Sequence, residues 1–227
     1  MFWRKGARIA SQAAALAASI AITASRAPSQ SSSKPSSTIV AVTGTDPAHL
    51  NSAITTAGGV HTIAGSLYDG LVELDSAGRP LPGLAERWDV TDGGRTYVFH
   101  LRRGVLWHDG VPFTARDVTY TFTAMLLKYS ARAKAGLEPA LSRIDAPDDS
   151  TVIFRFKQTY APLLRRLTVD ETPILPRHLY EGTDPLTNPH NASPVGTGPY
   201  RFVEWVRGDR IVFARNPRYF VRGRPRI

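Results

Sequence analysis

The chain has 227 residues, of which 42% are hydrophobic and 21% are charged, and its formal net charge is +9. This is an ordinary globular composition with enough apolar residues for a sizeable core, and it excludes a disordered or fibrous chain. Because cysteine is absent, a disulfide framework, a cysteine-based zinc site, a thiol nucleophile and a lipid-modified N-terminal cysteine are excluded as well.

Residues 1–26 predict a secretory signal peptide. Basic residues without any acid precede an alanine-rich apolar stretch at 9–24, which is too short and too polar for a membrane span. Residues 27–37 are rich in serine and proline, and we interpret them as a flexible leader. The alternative interpretation is that the N-terminal stretch forms a helix of the fold.

The folded region is predicted to begin with a buried strand. Thr38–Thr43 is rich in β-branched and apolar residues, and the turn Gly44–Pro47 ends it. Apolar residues then recur at helical spacing over Val60–Tyr68. A short strand at Leu71–Leu74 and a turn at Asp75–Gly78 follow this helix.

The clearest local pattern is a predicted β-hairpin. Thr91–Gly94 is a strong turn signal, and it lies between Trp88–Val90 and Thr96–Leu101. The second of these segments alternates, so that every other side chain is apolar and faces one side of a sheet. Val105–Trp107 predicts another short strand, closed by His108–Gly110.

The remaining elements complete a mixed pattern. Thr114 is placed to cap a helix together with Asp117, in the manner of a capping box, and an apolar face continues to Tyr129. The other predicted elements are a strand at Thr151–Phe156, short helices at Ala161–Leu167 and Pro176–Tyr180, and a hairpin of Tyr200–Trp205 with Arg210–Ala214. Many short antiparallel strands with a few helices predict an α+β architecture.

Motifs for catalysis or cofactor binding are missing. There is no phosphate loop or serine-hydrolase elbow, and the six histidines lack metal-ligand spacing. Gly196-Thr197-Gly198 lacks the third glycine of a dinucleotide fingerprint, so we interpret it as a tight turn. His108 beside Asp109 is compatible with acid–base chemistry, but a turn is the more common role of this pattern. We therefore predict no catalytic residue, no metal ligand and no cofactor.

Arginines crowd the C-terminal end of the chain, from Arg201 to Arg226. One interpretation is a surface for nucleic acid or an anionic membrane, and the other is a solvated basic surface. An exported protein does not meet nucleic acid, so the predicted signal peptide favours the second interpretation and no nucleic-acid partner is expected.

Ordered motifs over most of residues 38–227 make the chain resemble a known family. The motifs are LPGLAERW at 81–88, DGGRTYVFHLR at 92–102, GVLWHDGVPFTARDV at 104–118 and PVGTGPY at 194–200, followed by Glu204-Trp205, Gly208-Asp209 and Asn216–Tyr219. In this order and spacing they resemble the family 5 extracytoplasmic solute-binding proteins, which serve ABC importers of dipeptides, oligopeptides and nickel.

The resemblance implies an α/β fold of the type II periplasmic-binding-protein kind, with two lobes that close over the ligand by a hinge motion. Members of the family are much longer than this chain. The resemblance therefore implies that residues 38–227 are most of the N-terminal lobe, of α+β character, and that the second lobe is missing.

The resemblance also implies a function. We expect a monomeric periplasmic protein of a Gram-negative bacterium that captures a peptide or similar small solute for ABC permease subunits in the inner membrane. The loop Gly44–Pro47 and the segment Val169–Thr172 should face the ligand cleft. The candidate ligand-binding residues are Thr45, Asp46, Asp170, Glu171 and Thr172.

Two of these candidates, Asp170 and Glu171, are suited to a ligand amine or cation, although acids on a loop are often simply solvated. The alternative functions are a truncated, non-binding fragment or pseudogene product of such a receptor, whose exposed strands would aggregate, and a secreted hydrolase.

Overall fold

The computed structural model of the chain describes the backbone of residues 38–41 and all of residues 46–225. The predicted signal peptide, the leader and the candidate Thr45 lie outside the described residues. The strands are β1 (Thr38–Ala41), β2 (Val72–Leu74), β3 (Pro80–Pro82), β4 (Ala85–Thr91), β5 (Thr96–Leu101), β6 (Leu141–Asp148), β7 (Thr151–Phe156), β8 (Tyr200–Val206) and β9 (Arg210–Arg215).

The helices are short. They are α1 (Gly58–Leu67), α2 (Ala115–Tyr120), α3 (Leu127–Tyr129), α4 (Ala131–Leu137), α5 (Leu163–Arg166) and α6 (Arg177–Tyr180), with single 3₁₀ turns at Ser52–Ile54, Asp92–Gly94 and Pro189–Asn191. A π-helical segment, Thr121–Leu126, joins α2 to α3 without a break.

The largest sheet is antiparallel throughout, with the strand order β4-β5-β7-β6. The alternation predicted for β5 and β7 is confirmed, because one face of each strand is buried. The buried side chains are Tyr97, Phe99 and Leu101 from β5 and Val152, Phe154 and Phe156 from β7. Phe122 from the π-helical segment packs edge-on against Phe154, with 5.0 Å between ring centroids. The helix that runs from α2 to α3 therefore covers this sheet.

The capping box predicted at the start of α2 is also confirmed. The carboxylate of Asp117 accepts a hydrogen bond from the backbone N–H of Thr114 at 2.8 Å. Its other oxygen accepts one at 3.0 Å from the backbone N–H of Arg177, the first residue of α6. One buried carboxylate thus satisfies donors at the N-terminal ends of two helices.

A second sheet has the order β1-β9-β8 and contains the predicted C-terminal hairpin. Both of its strand pairs are antiparallel, with Val40 opposite Val212 in one and Phe202 opposite Phe213 in the other. The strands β2 and β3 form a separate two-stranded sheet.

One predicted element is wrong, and three observed elements have no counterpart in the sequence prediction. The strand predicted at Val105–Trp107 is a tight loop that keeps one isolated bridge, Leu106 to Pro112, because the chain reverses too soon for a ladder. The helix α4 and the strands β3 and β6 were not predicted. β6 contains Pro147 and charged residues, which hide its pattern, but it lies at the edge of its sheet, where proline is tolerated.

Candidate functional site

A cavity of about 450 Å³ opens beside the C-terminal end of α1. Its walls come from α1, β2, the segment 168–170, the start of β8 and the segment that follows β9. The charged lining residues are Asp69, Glu73, Asp170 and Arg224, and the aromatic ones are Tyr68, Tyr200 and Tyr219. Carboxylates combined with aromatic rings suit a cationic or amine-bearing group.

Asp69 is the buried carboxylate of this cavity. Its Oδ1 accepts a hydrogen bond from the hydroxyl of Tyr219 at 2.9 Å, and its Oδ2 accepts one from the hydroxyl of Thr197 at 2.7 Å. Burial raises the pKa of Asp69 from 3.8 to about 6, although the two hydroxyl donors oppose that shift. The carboxyl group therefore titrates in a mildly acidic range.

Backbone packing at two glycines places Asp69. A Cβ on Gly70 would collide with the carbonyl oxygen of Leu167, and one on Gly83 would lie 2.7 Å from the carbonyl oxygen of Gly70. The chain is also tied here by a backbone hydrogen bond of 3.1 Å from the N–H of Ile174 to the carbonyl of Asp69. The corner after α1 therefore forms only with glycine at these positions.

The turn predicted at Gly196-Thr197-Gly198 is confirmed, and it packs on the end of α1. The N–H of Gly198 donates to the carbonyl oxygen of Leu67 at 3.0 Å, and a Cβ on Gly196 would collide with that same oxygen. This close approach brings the hydroxyl of Thr197 to Asp69.

His108 holds the same turn from the other side. Its Nδ1 accepts a hydrogen bond from the N–H of Gly196 at 3.1 Å, so its Nε2 carries the proton and donates to the carbonyl of Gly198 at 3.0 Å. Burial, with a smaller contribution from the guanidinium groups of Arg201 and Arg218, lowers the pKa of His108 from 6.5 to about 4. The imidazole is therefore neutral near pH 7.

The neighbouring Asp109 is also engaged within the chain. One carboxylate oxygen lies 2.7 Å from Nε2 of His178, and the other accepts from the N–H of Val111 at 3.1 Å. Both ring nitrogens of His108 are also bonded, to backbone groups. His108 and Asp109 therefore serve the turn that the sequence favours, and their polar atoms are engaged within the chain.

The structure separates the candidate ligand-binding residues. Asp170 lines the cavity. Glu171 lies 3.5 Å from Arg132 and 3.4 Å from Arg166, at the closest nitrogen–oxygen distances. The buried Thr172 donates its hydroxyl hydrogen to the carbonyl of Arg166 at 2.9 Å.

Asp46 does not line this cavity. Its Oδ1 instead accepts a hydrogen bond from the indole N–H of Trp205 at 2.9 Å. The sequence reasoning missed Asp69, Thr197 and Tyr219 as parts of one site. The sequence predicts only a helix end at Asp69, and no local pattern joins residues that lie so far apart in the chain.

Within the described part of the chain, no helix has the length and apolar character needed to cross a membrane. The same residues contain no cluster of three histidine or acidic side chains able to hold a metal ion.

The fold defines the class of protein. The described residues share the mixed helix and strand fold of two-lobed periplasmic binding proteins and match part of their length. Against the oligopeptide-binding protein AppA from Bacillus subtilis, crystallised with a nonapeptide, the TM-score is 0.69 at 29% identity, covering 78% of this chain and 36% of that one. Against NikZ from Campylobacter jejuni, crystallised with Ni(L-His), it is 0.65 at 27% identity, covering 78% and 35%.

Sequence comparison then gives the family. Residues 79–227 match the model of the bacterial extracellular solute-binding proteins, family 5 (middle), and the chain belongs to this family. A relative is Protein XP55 of Streptomyces lividans, 40% identical over 156 residues, which are 68% of this chain and 28% of XP55. The chain spans about a third of the length of the relatives it matches.

Proposed function

We propose that the chain is the substrate-binding component of an ABC importer, exported to the periplasm of a Gram-negative bacterium. In this proposal it captures a peptide or a similar small solute and delivers it to permease subunits in the inner membrane. The observation that carries the proposal is the fold shared with ligand-bound members of one family, of which AppA holds a nonapeptide and NikZ holds Ni(L-His).

The cavity beside α1 is the proposed contact surface for a cationic or amine group of the solute. Asp170 is the candidate that lines it, together with the exposed Glu73, so we assign the direct contact to Asp170. Glu171 and Thr172 already bond within the chain, and in this proposal they hold the segment that carries Asp170. Thr45 stays a proposed ligand contact.

In this proposal the chain acts as a monomeric binding protein, without catalytic turnover, cofactor or nucleic-acid partner. It is supported by the engagement of His108 and Asp109 in bonds within the chain, and by the names of the relatives, which describe binding proteins.

The test is a ligand screen on the 227-residue chain by thermal shift and isothermal titration calorimetry. The probes are dialanine, trialanine, a nonapeptide, an opine and nickel with L-histidine. A ligand that binds the folded state stabilises it by about 2.7 kcal/mol at about 100 times its Kd, so a true ligand gives a saturable shift. Asp170→Asn should weaken binding, whereas Glu86→Gln, an exposed acid on β4, should not.

Three outcomes would contradict the proposed function or the proposed contact. If no probe stabilises the chain, it is a non-binding fragment of such a receptor. If a probe is consumed with turnover, the chain is a hydrolase. Equal affinities of the wild type and Asp170→Asn would remove Asp170 from the contact surface.

A further inference from the structure

Two side chains at the end of β8, Trp205 and Arg207, form hydrogen bonds to residues 46–48, which precede α1. The indole N–H of Trp205 donates to Oδ1 of Asp46 at 2.9 Å. The guanidinium of Arg207 donates to the carbonyl oxygens of Pro47 at 2.6 Å and Ala48 at 3.2 Å. The contacts join residues 159 or 160 positions apart, so the tertiary fold alone brings them together.

The side chains of Trp205 and Arg207 also contact each other. The Arg207 guanidinium carbon lies 3.4 Å from the centroid of the Trp205 ring, which is a cation–π arrangement. Arg207 Nη1 lies 3.9 Å from Oδ2 of Asp46, so the carboxylate has a cationic neighbour. A planar guanidinium is able to stack on a ring and reach two carbonyls at the same time, which a lysine ammonium cannot do.

The ion pair in this arrangement adds little to the stability of the fold. The Arg207 side chain is 53% exposed and that of Asp46 is 34% exposed, and ion pairs this open to solvent contribute little to the free energy of unfolding. The specific effect of the arrangement is to tie three consecutive residues, Asp46, Pro47 and Ala48, to the end of β8 by hydrogen bonds.

We infer that Trp205 and Arg207 form a clamp on residues 46–48 and act as positioning residues for solute capture. The inference rests on the proposed function, in which Thr45, the residue before this segment, is a proposed solute contact. A loop that is already ordered loses less conformational entropy on binding, so the clamp raises affinity by pre-organisation. Asp46 then acts through the clamp and does not contact the solute directly.

The experiment compares variants of the full chain. Arg207→Ala removes the clamp. Arg207→Lys keeps the positive charge without the planar guanidinium, and Trp205→Phe keeps an aromatic ring without the indole N–H donor. The matched control is Arg210→Ala, because Arg210 lies in the same hairpin and pairs only with Glu204 and Asp209 among the described residues.

The measurements are hydrogen exchange at the amides of residues 48–50, the Kd for trialanine and for a nonapeptide, and the melting temperature. We expect Arg207→Ala to speed exchange about tenfold and to weaken binding about tenfold, equivalent to ordering roughly one residue. Trp205→Phe and Arg207→Lys should give intermediate values. Arg210→Ala should match the wild type, and all melting temperatures should stay close.

Unchanged exchange in Arg207→Ala would show that the clamp does not order the segment. Faster exchange with an unchanged Kd would show that it has no part in capture. If the wild type binds none of the solutes in the ligand screen, the proposed function fails and the positioning role fails with it. The exchange difference would still report the clamp itself, so the two failures are distinguishable.

Discussion

The hydroxyl of Thr197 donates a hydrogen bond of 2.7 Å to the buried carboxylate of Asp69, a residue 128 positions earlier in the chain. The turn that carries Thr197 is held on its opposite side by His108. One three-residue turn therefore lies between a buried acid and a half-buried imidazole, whose pKa values are displaced in opposite directions.

The first prediction concerns Asp69. Its pKa is about 6 in the folded chain against 3.8 when unfolded, so the stability linked to its protonation is present below pH 3.8 and is lost as the pH rises through 6. This loss amounts to about 3 kcal/mol. Asp69→Asn cannot ionise and should lack it. Urea unfolding of both proteins between about pH 4 and pH 7 measures the difference, and parallel pH profiles would contradict the assignment.

The second prediction concerns His108, for which the sign is reversed. Its pKa is about 4 when folded against 6.5 when unfolded, so its contribution is present above pH 6.5 and is lost as the pH falls through 4. The loss is again about 3 kcal/mol. In the wild type the two contributions oppose each other over this range.

The variants separate these two contributions. Asp69→Asn should become less stable as the pH falls from 6.5 to 4, and His108→Gln should become less stable as the pH rises from 4 to 6. Unfolding free energies from the same urea titrations test this. If both variants show profiles of the same sign, the assigned pKa directions are wrong for one of the two groups.

The third prediction concerns Gly196. Gly196→Ala should destabilise the chain by more than about 3 kcal/mol, because its Cβ would collide with the carbonyl of Leu67, which is a backbone group and not the flexible end of a side chain. Gly58→Ala is the matched control, since nothing lies within 4 Å of the added Cβ at that position. Thermal and urea unfolding compare the two. Equal stability of both variants would mean that the turn does not need glycine.

The fourth prediction concerns the carboxylate that caps two helices. Asp117→Ala removes the acceptor for the N–H groups of Thr114 and Arg177, and should destabilise the chain by about 2–4 kcal/mol. Asp117→Asn keeps one acceptor oxygen and should lose less. Unfolding free energies at neutral pH give the ranking, and a loss in Asp117→Asn as large as that in Asp117→Ala would contradict this explanation.

The sequence by itself determined the local elements. The alternation of Tyr97, Phe99 and Leu101 and the capping box of Thr114 with Asp117 are contained in short segments, so periodicity and spacing predict them. The family is likewise indicated by motifs that are each a short contiguous stretch of sequence. β6 was missed because Pro147 and charged residues interrupt its pattern and only pairing with β7 makes it a strand.

The tertiary structure alone decided the site. Asp69 meets Thr197 and Tyr219, and Asp46 meets Trp205, across 128 to 159 residues of sequence. Such contacts depend on how the sheets and α1 pack, and no local propensity encodes that packing. The same holds for pKa values, because burial, and not residue type, displaces those of Asp69 and His108.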